Sequence, residues 1–209
     1  MGVSVNQPSK LISSLISTAT IAAAGLVGVF LGAWLNGRRE RIQRRYDFVA
    51  RQLRDFYSPM LGLRREVRMR SELREKVREG ARAAWNELSA AARREGTPEA
   101  LQRLTRERGP DFTKIIDYDN QQLTNELMPA YRSMVKVFRD NYWLAESDTR
   151  AYFQTLIEFV ELWDRFIADA LPREVLTGLS HGEHLLTPFY DHLEAKHDDL
   201  RSRLARGVA

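Results

Sequence analysis

The sequence predicts an all-α protein: an N-terminal transmembrane helix continuing into a cytoplasmic antiparallel helical bundle of about four long helices. Three observations carry that expectation. Between Lys10 and Arg38 there is no Asp, Glu, Lys or Arg, and the stretch is dominated by Leu, Ile, Val, Ala, Gly and Phe. From Ile42 onward, apolar residues recur at the three- and four-residue spacing of helix faces, and almost nowhere at the two-residue spacing of strands. Helix start and stop signals then divide the remaining ~170 residues, enough for one domain with its own core.

The apolar segment, residues 11–35, exceeds the roughly 20 residues that cross ~30 Å of hydrocarbon. A cleavable signal peptide is the rival reading, with Ala22, Ala23 and Ala24 as a small-residue cleavage site. Against it stand the length of the run, the single basic residue before it and the arginines after it. Those arginines, Arg38, Arg39, Arg41, Arg44 and Arg45, face only Lys10 and the amino terminus across the segment. The positive-inside bias therefore places residues 1–10 outside as a short tail and the C-terminal domain in the cytoplasm of a cell with an inner (plasma) membrane. The absence of cysteine agrees with a reducing compartment.

Charge is unevenly spread. From Arg38 to Arg82 there are 15 basic and 7 acidic residues, whereas from Ala83 to Ala209 there are 16 and 21. The basic half adjoins the membrane, so the five arginines read as topology and anionic-lipid residues. Nucleic acid is the lesser alternative, because Arg outnumbers Lys 27 to 5 over the whole chain and its richness is not local.

The basic juxtamembrane helix, residues 36–57, opens a heptad seam: Ile42, Tyr46, Val49, Leu53, Phe56, Met60, Leu63 and Val67. Pro59 lies inside it and predicts a kink or short break at Ser58–Pro59, where the bundle domain, 58–209, begins. The next helix should run to about Arg94. Gly96-Thr97-Pro98 then reads as a stop and a new start, with Thr97 as N-cap and Pro98 at the first helical position. Gly109-Pro110 should end that piece, leaving loop to about Asp119. Further helices are expected over roughly 120–142, 148–170 and from a capping box at Ser180 and Glu183. The second of these, with Leu156, Val160, Trp163 and Ile167 joined by Phe159 and Phe166, should be the centre of the domain, and Trp163→Ala should unfold it.

Within the apolar segment Thr20, Ala24, Gly28 and Gly32 recur every four residues. Such small-residue ridges let helix backbones approach closely in lipid, so a homo-oligomer is expected. In a ring, Ser13, Ser17 and Thr20 would be available to line a water-filled channel.

Catalytic, cofactor and metal motifs are wanting. No phosphate-cradling glycine loop, GxSxG or thiol nucleophile occurs. His181 and His184, spaced i, i+3, with Asp191 or Glu194 are the nearest approach to a ligand set, and no HExxH supports it. His197 falls in the apolar stripe of the last helix, where a buried, hydrogen-bonded histidine is the ordinary explanation. The paired acids Asp117 and Asp119, like Asp198 and Asp199, read as solvated charge.

The run LRDFYSPMLGLRREV, with Phe56, Tyr57, Pro59, Met60 and Leu61, and the segments FVELWDRF and LLTPFYDHLEAKHDDL together resemble a loose class of uncharacterised bacterial single-pass proteins. Those have a cytoplasmic helical domain with an aromatic-x-Pro-aliphatic turn after the first helix. The resemblance implies no activity. In layout the chain is also similar to small oligomeric membrane proteins that accompany bacterial antiphage systems. The expected function is a membrane-anchored, self-associating helical scaffold or docking module for an unidentified cytoplasmic protein. An oligomeric pore or effector and a membrane-tethered nucleic-acid binder are the alternatives.

Overall fold

The computed structural model describes residues 34–179 and 181–207, and all regular structure among them is helical. Among these residues no helix is long and apolar enough to cross a membrane. The expected transmembrane helix lies outside the described residues except for Trp34 and Leu35, as do the external tail and the Thr20, Ala24, Gly28 and Gly32 ridge.

Two very long helices form the frame. Helix α1 runs over 34–94, with a π-helical turn at Gln52–Tyr57 followed by α-helix Ser58–Arg94. Helix α2 runs over 98–140, as α-helix Pro98–Gln122, a π-helical turn Leu123–Leu127 and α-helix Met128–Asp140. Between them Gly96 adopts a left-handed conformation (φ 75°) that glycine enters without steric cost, and Thr97 is extended before Pro98 opens the next helix. After a 3-10 turn at Tyr142–Leu144 come the short α3 (Ser147–Arg150), α4 (Phe153–Ile167) and α5 (Arg173–Gly178). A 3-10 turn, Glu183–Leu186, then leads into α6 (Thr187–Arg206).

Pro59 and Pro110 act differently from expectation. No break occurs at Ser58–Pro59; the helix widens just before it. The N–H of Ser58 bonds the carbonyl of Leu53, five residues back, and that of Met128, before Pro129, bonds Leu123 in the same way. In α-geometry a proline ring meets the carbonyl four residues earlier, and a π-turn moves that carbonyl aside while absorbing one extra residue. Because of the extra residue, Gln52, Phe56, Tyr57, Met60 and Leu61 all turn inward. The bundle core thus begins at Val49, ahead of the expected domain start at 58. Gly109-Pro110 does not end a helix either: Pro110 is exposed on an uninterrupted Pro98–Gln122, and the expected loop to Asp119 is helical. Pairing with α1 holds this stretch, through the edge-to-face contact of Trp85 and Phe112 (centroids 5.1 Å apart).

The lower part of α1, the Met128–Asp140 part of α2, α4 and α6 make a four-helix bundle. Contacts such as Arg132–Asp164 at one end and Phe138–Phe153 at the other set α4 antiparallel to α2. Phe138, fully buried, sits at the centre. It meets Phe56 of α1 (5.1 Å), Phe153 of α4 (4.6 Å) and Phe189 of α6 (6.0 Å). Beyond the bundle, 68–122 of α1 and α2 project as a two-helix arm; before it, 34–48 of α1 forms an exposed stalk.

Helix α4 is central only in its first half: Leu156, Phe159 and Val160 are buried, whereas Trp163 and Ile167 are half-exposed and only pack against the core. It starts at Phe153 after a turn and stops at Ile167, because Asp169 takes a left-handed φ of 52° three residues before Pro172. The last helix starts at Thr187, not near Ser180. His197 is half-buried with its Nδ1 3.4 Å from Asp198, on the helix flank rather than within the core. The expectation for Trp163 therefore moves to Phe138. Phe138→Ala should cost about 3–5 kcal/mol, and Trp163→Ala distinctly less, read as urea midpoints of the detergent-solubilised chain at unchanged slope.

Candidate functional site

Two polar features stand out, one at each end of the bundle. At the stalk end, Gln52 donates from Nε2 to the Leu144 carbonyl (2.8 Å), closing the Tyr142–Leu144 turn onto α1. Tyr57, fully buried one turn on, accepts from the Glu146 N–H (3.3 Å) and shares a 2.9 Å hydrogen bond with the Thr149 hydroxyl. Thr149 in turn lies 2.9 Å from His192 Nε2. One direction satisfies every member: Glu146 N–H to Tyr57, Tyr57 O–H to Thr149, Thr149 O–H to His192 Nε2. Lys196 closes the outside with Glu146 (2.5 Å) and Asp148 (2.9 Å).

The Thr149, His192, Asp148 grouping has the residue types of a nucleophile triad but not its geometry. Asp148 is nearest the same ring nitrogen that meets Thr149, at 3.8 Å, so it does not orient the imidazole from the opposite side. Thr149 itself has no exposed surface. The cluster ties α1, α3 and α6 together through buried hydrogen bonds.

At the arm end a cleft of about 1050 Å³ opens where α1 and α2 run on past the bundle while α4 stops. The early end of α4 causes it: the chain crosses the bundle top through the short α5 and the Glu183–Leu186 turn, leaving the upper half of α4 without a facing helix. Trp163 and Phe166 thus form an aromatic wall, with Tyr131 and Phe159 (centroids 4.9 Å apart) behind it. Trp163 is fixed by its Nε1–H, which donates to the His181 carbonyl (3.1 Å). Ile116 and Leu123 of α2 face the cleft from the arm, Ile116 being 60% exposed.

Its lining charges are Arg74 and Arg78 of α1, Asp169 beyond the end of α4 and Glu183 of the crossing segment, with Arg64 and Asp119 just behind them. Arg64 lies 3.9 Å above the Tyr190 ring and 3.3 Å from Glu183. Asp119, read from sequence as solvated, is buried and serves two guanidiniums: Arg78 Nε at 3.0 Å and, more distantly, Arg74 Nε at 3.8 Å. Arg74 Nε is buried with no hydrogen-bond acceptor, and burial, followed by the neighbouring Arg78 charge, holds its pKa below the usual arginine value. Burial likewise pushes up the Tyr131 and Tyr190 hydroxyls.

The residues singled out from sequence fall elsewhere. Arg38, Arg39, Arg41, Arg44 and Arg45 are exposed on the stalk, Arg38 lying 5.8 Å from the Trp34 ring. Of the heptad seam, Val49, Phe56, Met60 and Val67 are buried in the chain's own core, and Leu53 and Leu63 pack against it. Tyr46 is half-buried, and Ile42 is 46% exposed. His181 turns its Nδ1 to the Leu179 carbonyl (2.8 Å), His184 is exposed, and among the described residues no three metal-ligating side chains converge. The cleft was missed because it arises from the difference in length between helices that meet only in three dimensions. Its one sequence signal is the excess of aromatics on α4, Phe159 and Phe166 beyond its inward stripe.

No family model, curated protein or solved structure matches this chain.

Thr149→Val leaves Tyr57 and His192 without their shared partner and should destabilise by on the order of 2 kcal/mol, whereas Thr149→Ser should stay near the parent; urea midpoints separate them. Asp148 is held below the ordinary carboxylate range by its hydrogen bond from Lys196, and Lys196 above the ordinary lysine range by Glu146 and Asp148. A lowered acid stabilises above its unfolded value and loses that as pH falls; a raised base stabilises below its unfolded value and loses that as pH rises. The stability difference between the parent and Lys196→Met should therefore be flat between about pH 5 and 9 and shrink below about pH 4, measured by urea denaturation at each pH.

Proposed function

We propose that this chain is a membrane-anchored, self-associating helical docking module, N-terminus outside, whose arm and cleft meet a cytoplasmic protein. The observation that carries the reading is the continuity of α1. A single helix leads from Trp34, at the end of the uncharged segment, through the bundle and into the wall of the cleft. Anchor and cleft are then joined without a flexible linker, which suits presenting a binding surface at a set distance from the bilayer. The exposed arginines of the stalk suit a position beside anionic headgroups.

For self-association, the packing of Val49 to Val67 inside the monomer removes most of the heptad seam as an intermolecular contact. What supports the reading is the Gly28/Gly32 ridge and, on the stalk, Leu35 (56% exposed) and Ile42, seven residues apart on one helix face. A seam variant such as Leu53→Asp would strike the fold rather than the assembly.

The chain has no cysteine, so single-cysteine crosslinking is clean. Oxidised membranes bearing Ile42→Cys should give a crosslinked dimer, those bearing Ser202→Cys, on the exposed face of α6, should not, and adding Gly28→Ile with Gly32→Ile should abolish the dimer. A reporter fused after Ala209 should behave as cytoplasmic. Absence of any Ile42→Cys dimer removes self-association; a C-terminal reporter active outside the cytoplasm removes the docking reading.

A further inference from the structure

We propose that the cleft at the base of the arm binds a peptide segment of a partner protein that presents a carboxylate beside large apolar side chains, the carboxylate being received by Arg74. The inference rests on the docking reading and names the chemistry of the partner.

Three observations lead there. First, the cleft is large, about 1050 Å³, and is walled by side chains from α1, α2, α4 and the crossing segment rather than closed within one layer. That is at the upper end of small-ligand pockets, and an open cleft suits a succession of side chains better than one enclosed molecule. Second, its apolar surface is of the kind that anchors peptides: Trp163 and Phe166 on one side, Ile116 and Leu123 on the other, with Ile116 left 60% exposed by its own fold. Aromatic and aliphatic anchors in a desolvated pocket dominate such interfaces.

Third, the cationic wall is short of one acceptor. Arg74 and Arg78 share Asp119; Arg78 holds the 3.0 Å hydrogen bond, and Arg74, whose side chain is only 15% exposed, has its Nε buried with no acceptor. Burying a guanidinium that lacks a hydrogen-bonded partner is unfavourable. A carboxylate entering the cleft supplies, at the accessible part of the Arg74 side chain, the close opposite charge that Asp119 gives mainly to Arg78, and in the planar geometry that arginine favours. The other carboxylate near this wall, Glu126, is taken by Arg70, and Glu183 across the cleft by Arg64. The exposed Asp169 on the opposite rim disfavours an anion there and so orients the segment.

The test is selection from a random peptide display library on the immobilised full-length chain in detergent micelles. Counter-selection uses Arg74→Met with Ile116→Ser. Both substitutions leave the fold intact, since Asp119 keeps Arg78 and Ile116 is exposed; circular dichroism checks this. Enriched peptides should carry Asp or Glu next to Phe, Trp, Leu or Ile, and should bind Arg74→Met about tenfold or more weakly, as expected for loss of a charge-assisted hydrogen bond. Enrichment of basic or uncharged sequences, or no enrichment beyond the counter-selected variant, overturns the proposal. Saturable binding of indole-3-acetate without any peptide enrichment overturns it in favour of a small aromatic acid. Solubilised chain needs neither the stated topology nor a dimer, so an empty selection alongside an Ile42→Cys crosslink removes the cleft's role alone, and the converse removes only self-association.

Discussion

The stacking of four helices on Phe138 is the constraint from which the rest of the molecule follows. One ring on α2 meets an aromatic ring from each of α1, α4 and α6. Those contacts fix how far along one another the four helices sit. Rings at these separations and tilts add directional preference to the area they bury, so a helix cannot slide by a turn without losing its partner. With the bundle fixed at that level, the unequal lengths of its helices appear at the two ends: a stalk before it, an arm and a step beyond it.

Much of this was legible where local chemistry decides. Gly96-Thr97-Pro98 marked the turn between the two long helices because a left-handed glycine and a first-turn proline leave the backbone little choice. The inward seam of α1 was legible as a four-three spacing. Its assignment to the chain's own core was not, since the same spacing serves a coiled coil and a bundle equally. The expected break at Pro59 and the expected stop at Pro110 failed for different reasons. At Pro59 and Pro129 a π-turn accommodates the ring, and at Pro110 packing of the neighbouring turn, through Trp85 and Phe112, outweighs one lost hydrogen bond. At Pro110 a tertiary contact overrode a local penalty, whereas at Pro59 and Pro129 the helix backbone itself adjusted.

The polar residues at the two ends were legible only in kind. His192, Thr149 and Asp148 are far apart in sequence from Tyr57, and nothing in their spacing announces a shared chain of hydrogen bonds. Asp119 was misjudged because its neighbours in sequence are polar while its neighbours in space are Arg74 and Arg78. At the stalk end Gln52, Tyr57 and Thr149 all find partners, whereas at the arm end the buried Arg74 Nε, like the Tyr190 hydroxyl, does not. That difference separates a cluster that holds helices together from a wall with a bond left to make.

The unbroken course of α1 also has a mechanical meaning. At 1.5 Å per residue its 34–94 stretch is about 90 Å long, and its π-turn leaves it continuous. If its foot is set in a bilayer, it is a lever pivoting there. A change in tilt of about 10°, well within the spread seen for membrane-spanning helices, sweeps the far end of the arm through about 15 Å. Events in the lipid plane, such as a change in thickness or the pairing of two feet, would arrive at the cleft and the arm as displacement.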